Sequence, residues 1–214
     1  MIHTHTRLYV APYQLQRVDF DPATFREHDL LWLPHCAQLV HAGRKRKAEH
    51  LAGRIAAIHA LSEYGEKRVP GIGEQRQPLW PAGLYGSISH CDTTALAVVA
   101  DRPVGVDIEA LFTHHTAIEL ADSIIDADEL ALLHAVHLPF PLALTAAFSA
   151  KESLFKAWSA LAAPAPGFHS ARVVAFTADT LFLQLTSDFS PALAGQCITV
   201  RWSQIGHHIV TMTQ

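Results

Sequence analysis

The stretch TALAVVADRPVGVDIEAL, residues 94–111, restricts the possible folds more than any other part of this sequence. It holds two apolar runs typical of buried strands, and the Asp101-Arg102-Pro103 segment between them favours a turn. The second run carries two acids, Asp107 and Glu109. Because side chains alternate along a strand, both carboxylates point to one face, roughly 7 Å apart. Such a pair is expected either at a solvated strand end or around a cation such as Mg2+.

The rest of the pattern indicates several helices and further strands. The clearest helix lies within residues 41–65, where Leu51, Ile55 and Ile58 form an apolar stripe and Gly65 favours a stop. One helix is also predicted over 116–136 and one or two over 142–162. An edge strand is predicted over 7–20, and further strands over 171–186 and 196–212. The strands come in runs rather than alternating regularly with helices, so the predicted class is α+β.

Composition narrows the class of protein. Of the 214 residues, 50% are hydrophobic and 17% are charged, which favours a folded globular chain. A net charge of −4 gives no general reason to bind nucleic acid or an anionic membrane. The three cysteines form no CxxC pair and no signal peptide is visible, so we expect a cytoplasmic protein. Loose membrane association is left open. Fifteen histidines without an HExxH motif are expected to be ordinary surface and core residues.

The segment FSAKESLFKAW, residues 148–158, has two interpretations. In the structural one, Ser149 and Glu152 form a capping box at a helix start, and Glu152 pairs with Lys156 one turn later. In the functional one, Glu152 faces inward between Lys151 and Lys156 and is a metal ligand or base within an anion site.

A basic segment and two loops supply candidate anion-binding groups. Arg46 and Arg54 are eight residues apart on the predicted helix, on roughly one side and about 12 Å apart along the axis. Arg76 lies in RQPLWP, and Ser89 and His90, within GSISHC, end a short predicted strand. The alternative is a solvated basic face. A Ser/His hydrolase is disfavoured because GxSxG is absent, and neither a Walker A motif nor GxGxxG supports a standard nucleotide fold.

Taken together, the Arg-rich helix, RQPLWP, GSISH, GVDIE and KESLFKA resemble the 4′-phosphopantetheinyl transferase superfamily, in its long, two-lobed, monomeric type. The likeness is strong from about residue 19 to 158 and weak beyond 163. It implies two similar lobes related by a pseudo-twofold, each a small, mainly antiparallel sheet packed with a long helix. The lobes would cover residues 1–103 and 104–214, with coenzyme A in the cleft between them.

The same resemblance implies roles for individual residues. Asp107, Glu109 and Glu152 would hold Mg2+, and Glu152 would also take a proton, directly or through a metal-bound water. The coenzyme A phosphates would be bound by seven residues: Arg46, Arg54, Arg76, Ser89, His90, Lys151 and Lys156.

The implied reaction transfers the 4′-phosphopantetheine arm of coenzyme A to a serine of an apo aryl, peptidyl or acyl carrier protein, releasing 3′,5′-ADP. The implied partners are carrier domains of a siderophore-forming nonribosomal peptide synthetase. Two alternatives remain: a metal-dependent phosphohydrolase that uses the same carboxylates on water, and a non-catalytic coenzyme A-binding protein.

Overall fold

The computed structural model describes residues 1–74, 76–162 and 167–213. The chain divides into two compact units, Met1–Pro103 and Val104–Gln214. Within the described residues, no helix combines the length and the apolar character needed to cross a lipid bilayer.

The first unit is a four-stranded antiparallel sheet packed against one long helix. Its elements are β1 (His3–Val10), β2 (Tyr13–Phe20), α1 (Arg44–Ser62), β3 (Gly71–Ile72), β4 (Pro78–Leu79), β5 (Tyr85–Cys91) and β6 (Thr94–Ala100). The sheet order is β1-β2-β6-β5, and β3 and β4 form a separate two-stranded ribbon. Three short 3-10 helices, within residues 22–39, connect β2 to α1.

Helix α1 packs on the sheet through small side chains. Ala48, Ala52 and Ala56 are fully buried, whereas Ile55 and Ile58 of the predicted stripe are only half-buried. The helix also passes close to β5, because a Cβ added to Gly53 would lie 2.8 Å from the Ile88 side chain. Small residues on this face therefore set the distance between helix and sheet.

The second unit is a five-stranded antiparallel sheet covered by three helices. Its elements are β7 (Gly105–Ala110), α2 (His114–Ile124), α3 (Ala127–Ala135), α4 (Phe140–Trp158), β8 (Ala171–Phe176), β9 (Thr180–Leu185), β10 (Cys197–Ile205) and β11 (His208–Thr213). The sheet order is β7-β11-β10-β9-β8. The predicted α+β class is confirmed, and in each unit a long helix packs on a mainly antiparallel sheet.

The single helix predicted over residues 116–136 is wrong. The chain breaks into α2 and α3 because the Asp126 carboxylate accepts hydrogen bonds from the backbone N–H groups of Asp128 and Glu129. The Glu129 carboxylate in turn accepts from the Asp126 N–H, completing a capping box.

Gly105 brings β7 into close contact with α4. A Cβ at this position would collide with the backbone oxygen of Ser153 and would lie 2.9 Å from the backbone nitrogen of Ala157. Neither atom belongs to a flexible side chain, so the glycine that opens GVDIE is required by packing.

We therefore expect Gly105→Ala to lower the free energy of unfolding by about 3 kcal/mol, the upper end of the usual cost of overpacking. Gly167→Ala is the matched control, because nothing lies within 4 Å of the Cβ it would add. Urea unfolding of both variants measures the difference. Equal stability for Gly105→Ala and the unmodified protein would contradict the close packing of β7 on α4.

Candidate functional site

Strand β7 and helix α4 bring three acids of the second unit together. Asp107 is 1% exposed, and Glu109 and Glu152 are half-buried. Asp107 and Glu152 both act on the charge of Glu109, and Asp107 acts on that of Glu152. We call Asp107, Glu109 and Glu152 the carboxylate cluster. The three acids thus influence one another's charge, and their joint role as a metal site stays a prediction.

Both oxygens of Asp107 are held by side chains of α4. The Lys156 ammonium donates to Oδ1 at 2.6 Å, and the Ser149 hydroxyl donates to Oδ2 at 2.8 Å. Ser149 also contacts the Thr211 hydroxyl at 2.9 Å, and Thr211 donates to the Ser149 carbonyl at 2.8 Å. The Asp107 carboxylate is thus fixed in orientation by neighbours on α4 and β11.

The capping box predicted for Ser149 and Glu152 is wrong, because α4 begins nine residues earlier, at Phe140. Ser149, Glu152 and Lys156 are spaced by three and four residues, which places them on one face of this helix. That spacing was the available signal that Ser149 belongs to the site.

Burial and the repulsion between neighbouring carboxylates disfavour the ionised forms of Glu109 and Glu152. Burial, followed by the charge of Asp107, raises the pKa of Glu109 to about 7, with Glu152 adding to the effect and Lys156 opposing it. Burial also raises the pKa of Glu152; Lys156 opposes this rise and Asp107 adds to it. A cation placed among these oxygens would relieve both costs.

The donor set fits a hard divalent metal ion. Carboxylate oxygens are the ligands that Mg2+ prefers, and the cluster already attracts one cation, the Lys156 ammonium. Asp107, Glu109 and Glu152 are therefore the residues able to hold such an ion.

Lys151 has a different role from the one predicted. Its side chain is fully buried, forms an ion pair with Glu129 Oε1 at 2.7 Å and donates to the Ile124 carbonyl at 2.7 Å. The same Glu129 oxygen accepts from the Val173 N–H at 2.8 Å. Lys151 thus ties α4 to α2, α3 and β8, and we remove it from the phosphate-binding residues.

The first unit contains a polar pocket of about 330 Å³ that carries two of the predicted arginines. Its lining includes Gln38, Leu39, Arg46, His50, Ile72 and Arg76. Arg46 and Arg76 are exposed, and Arg76 has a positive φ of 65°, an uncommon conformation for a residue other than glycine. We call this cavity the arginine pocket. Its two guanidinium groups make it a candidate site for phosphate.

Arg54 is bonded to the backbone of the segment that follows α1. It is 5% exposed, and it donates from Nε to the Pro70 carbonyl at 2.9 Å and from Nη2 to the Gly71 carbonyl at 3.0 Å. Burial, and then the charge of Arg46, lowers the pKa of Arg54 to about 10, so it remains a cation at neutral pH. These contacts give Arg54 a structural role, and its contact with phosphate stays a prediction.

The other cations at the start of α1 also have structural partners. Arg44 donates to the carbonyls of Ala23 and Phe25, and Lys47 forms an ion pair with Glu27 at 3.0 Å. These contacts fix the segment that precedes α1.

His90 and Ser89 lie on opposite faces of β5. His90 Nε2 lies 2.8 Å from Nη1 of Arg46, which places the imidazole beside a candidate phosphate-binding residue. Ser89 is buried, and as the adjacent strand residue it points away from His90. The structure therefore groups His90 with Arg46 but does not add Ser89 to that group.

The contact between His35 and His50 was not predicted from the sequence. Their Nε2 atoms lie 2.9 Å apart, and their rings meet edge to face at an interplanar angle of 80°. The pair joins a 3-10 segment to α1, so no periodic pattern indicates it.

Residues 35–100 match the family model for the 4′-phosphopantetheinyl transferase N-terminal domain, and residues 103–208 match that for the 4′-phosphopantetheinyl transferase superfamily. Enterobactin synthase component D of Salmonella typhimurium is 55% identical over 99% of this chain and 90% of its own length.

Two further relatives agree with these matches. Enterobactin synthase component D of Escherichia coli is 66% identical over 72% of this chain and 75% of its own length. The 4′-phosphopantetheinyl transferase PptT of Mycobacterium tuberculosis is 33% identical over 69% of this chain and 67% of its own. The chain therefore belongs to the 4′-phosphopantetheinyl transferase superfamily and is a transferase enzyme of that family.

Proposed function

We propose that this enzyme moves the 4′-phosphopantetheine arm of coenzyme A to a serine of apo carrier domains that serve enterobactin-type siderophore synthesis. The observation that carries the proposal is the carboxylate cluster with Lys156, within the part of the chain that the superfamily model matches. The name of the enteric relatives supports siderophore carriers as the partners. We further propose a monomer that acts in the cytoplasm.

Enzymes of this family use coenzyme A as a substrate and typically need a divalent metal ion. We propose Mg2+, held by Asp107, Glu109 and Glu152, because all three offer hard oxygen donors. When bound, the ion would neutralise charge on the phosphoryl oxygens that develops during transfer.

The chain's own side chains would then bind and orient the reactants. Arg46 and Arg76 would hold the phosphate-bearing end of coenzyme A, with His90 beside Arg46. Lys156 would offset charge on the pyrophosphate. Ser149 fixes the orientation of the Asp107 carboxylate, so this carboxylate would be positioned before substrate arrives.

Glu152 is the proposed base. The serine hydroxyl of the carrier would lose its proton to the Glu152 carboxylate while its oxygen forms a bond to the β-phosphorus of coenzyme A. The bond from that phosphorus to the leaving oxygen would break, releasing 3′,5′-ADP. In the metal-free protein burial raises the pKa of Glu152, whereas a bound cation would lower it. The carboxylate would therefore take the proton either directly or through a metal-bound water.

Mass spectrometry of a carrier domain tests the proposed reaction. Incubation of the enzyme with coenzyme A, Mg2+ and an apo aryl or peptidyl carrier domain should add the mass of one phosphopantetheine arm. Asp107→Asn should lower the rate by at least roughly 100-fold, because it removes a charged ligand at the centre of the cluster. Asp122→Asn, an exposed acid on α2, is the matched control and should keep full activity.

The other functions give different results in this assay. An unmodified carrier would contradict the proposal. Breakdown of coenzyme A without a carrier would indicate a phosphohydrolase, and binding of coenzyme A without any turnover would indicate a non-catalytic binding protein.

Metal affinity should rise with pH. Since the pKa of Glu109 is raised to about 7 in the metal-free protein, protons compete with the metal below neutral pH. The ionised fraction of a group with this pKa changes about tenfold between pH 6 and pH 8, so the apparent affinity for Mg2+ should strengthen by about that factor. Calorimetry in two buffers of different ionisation enthalpy would detect the released proton.

Glu109→Gln should bind Mg2+ more weakly and lose most of this pH dependence, whereas Asp122→Asn should behave as the unmodified protein. An affinity that stays constant from pH 6 to pH 8 would remove Glu109 from the ligand set.

A further inference from the structure

The His35–His50 pair determines which nitrogen of each ring carries hydrogen. Their Nε2 atoms are 2.9 Å apart, a hydrogen-bond distance, so exactly one of the two must be protonated in the neutral pair. The other nitrogen of His35, Nδ1, is buried and has no hydrogen-bond partner among the described residues.

A buried N–H donor without an acceptor is costly, and such donors are rare in folded proteins. If His35 carried its hydrogen on Nδ1, it would create such a donor. The favourable arrangement therefore puts the hydrogen of His35 on Nε2, from which it is donated to Nε2 of His50. His50 must then accept at Nε2 and carry its own hydrogen on Nδ1.

His50 lines the arginine pocket together with Arg46 and Arg76. Within the described part of the chain, its Nδ1 has no hydrogen-bond partner, so this donor remains available to a ligand. Burial, and then the charges of Arg54, His35, Arg46 and His90, lowers the pKa of His50 to about 3. His50 is therefore neutral at physiological pH, with one donor and one acceptor.

We propose that His50 is a ligand-binding residue whose Nδ1–H donates to a phosphate oxygen of the nucleotide end of coenzyme A, and that His35 is the positioning residue that fixes this tautomer. The inference rests on the proposed function, because it assigns a further contact to the same phosphate-binding pocket. Two guanidinium groups supply charge there, and a neutral, fixed imidazole adds a donor of defined direction.

Substitution of His50 by asparagine or glutamine distinguishes its two tautomers. An asparagine side-chain amide can replace a donor at Nδ1, and a glutamine side-chain amide can replace a donor at Nε2. The probe is 3′,5′-ADP, and its dissociation constant is measured by calorimetry. We expect His50→Ala and His50→Gln to weaken binding about tenfold, as for the loss of a hydrogen bond to a charged group. His50→Asn should stay within about threefold of the unmodified enzyme.

His59 provides the matched control. It lies on the same helix, is half-buried, and stacks on His5 instead of lining the arginine pocket. His59→Gln and His59→Asn should leave the affinity for 3′,5′-ADP unchanged. Thermal unfolding of each variant identifies any that do not fold.

Nitrogen NMR of the imidazoles gives a second, independent readout. In the unmodified protein, the His50 Nδ1 signal should be that of a protonated nitrogen and the Nε2 signal that of an unprotonated one. His35→Leu should remove this preference and weaken binding, whereas His35→Gln, which retains a donor at the matching position, should restore both.

The possible failures are distinguishable. If the unmodified enzyme binds 3′,5′-ADP but His50→Gln and His50→Ala bind equally well, the role of His50 is wrong and the proposed function stands. The same holds if His50→Gln binds well and His50→Asn does not, or if NMR shows hydrogen on Nε2 of His50. If the unmodified enzyme does not bind the nucleotide, the contact proposed for His50 fails, and the carrier assay decides the proposed function separately.

Discussion

The second unit depends on the hydrogen bonds that the Asp107 carboxylate accepts. It is almost completely buried, and its two oxygens are bonded to Lys156 and Ser149, both on α4. A buried carboxylate without such partners would be strongly destabilising. Gly105 allows β7 to lie close enough to α4 for these bonds to form. The close packing on α4 and the position of the Asp107 carboxylate therefore both depend on strand β7. The apolar residues of this strand anchor it in the core.

The two units use positive charge in two ways. Lys151 and Arg54 are buried and bonded to a carboxylate or to backbone carbonyls, so they stabilise the local structure. Arg46 and Arg76 are exposed in a pocket, and Lys156 is partly exposed beside the carboxylate cluster. Burial and bonding partners thus separate cations that hold the fold from cations that are available to an anionic substrate.

Much of the fold and part of the site followed from short-range patterns. Strand alternation predicted that Asp107 and Glu109 share a face, and helical periodicity predicted α1. The role of Lys151 could not be predicted, because neighbouring residues on a helix point in different directions and the sequence does not state what each one meets. The capping-box interpretation of Ser149 failed because α4 begins at Phe140, which places Ser149 inside the helix. The contact between His35 and His50 depends on tertiary packing alone, so no local pattern reveals it.

We propose that Asp107, Glu109 and Glu152 form one metal site. Anomalous scattering from crystals grown with Mn2+ and coenzyme A tests it most directly, because the signal locates the ion without reference to activity. We expect one strong peak within bonding distance of oxygens from all three carboxylates, and its loss in Asp107→Asn. A peak at other residues, with the carboxylate cluster unchanged, would contradict it.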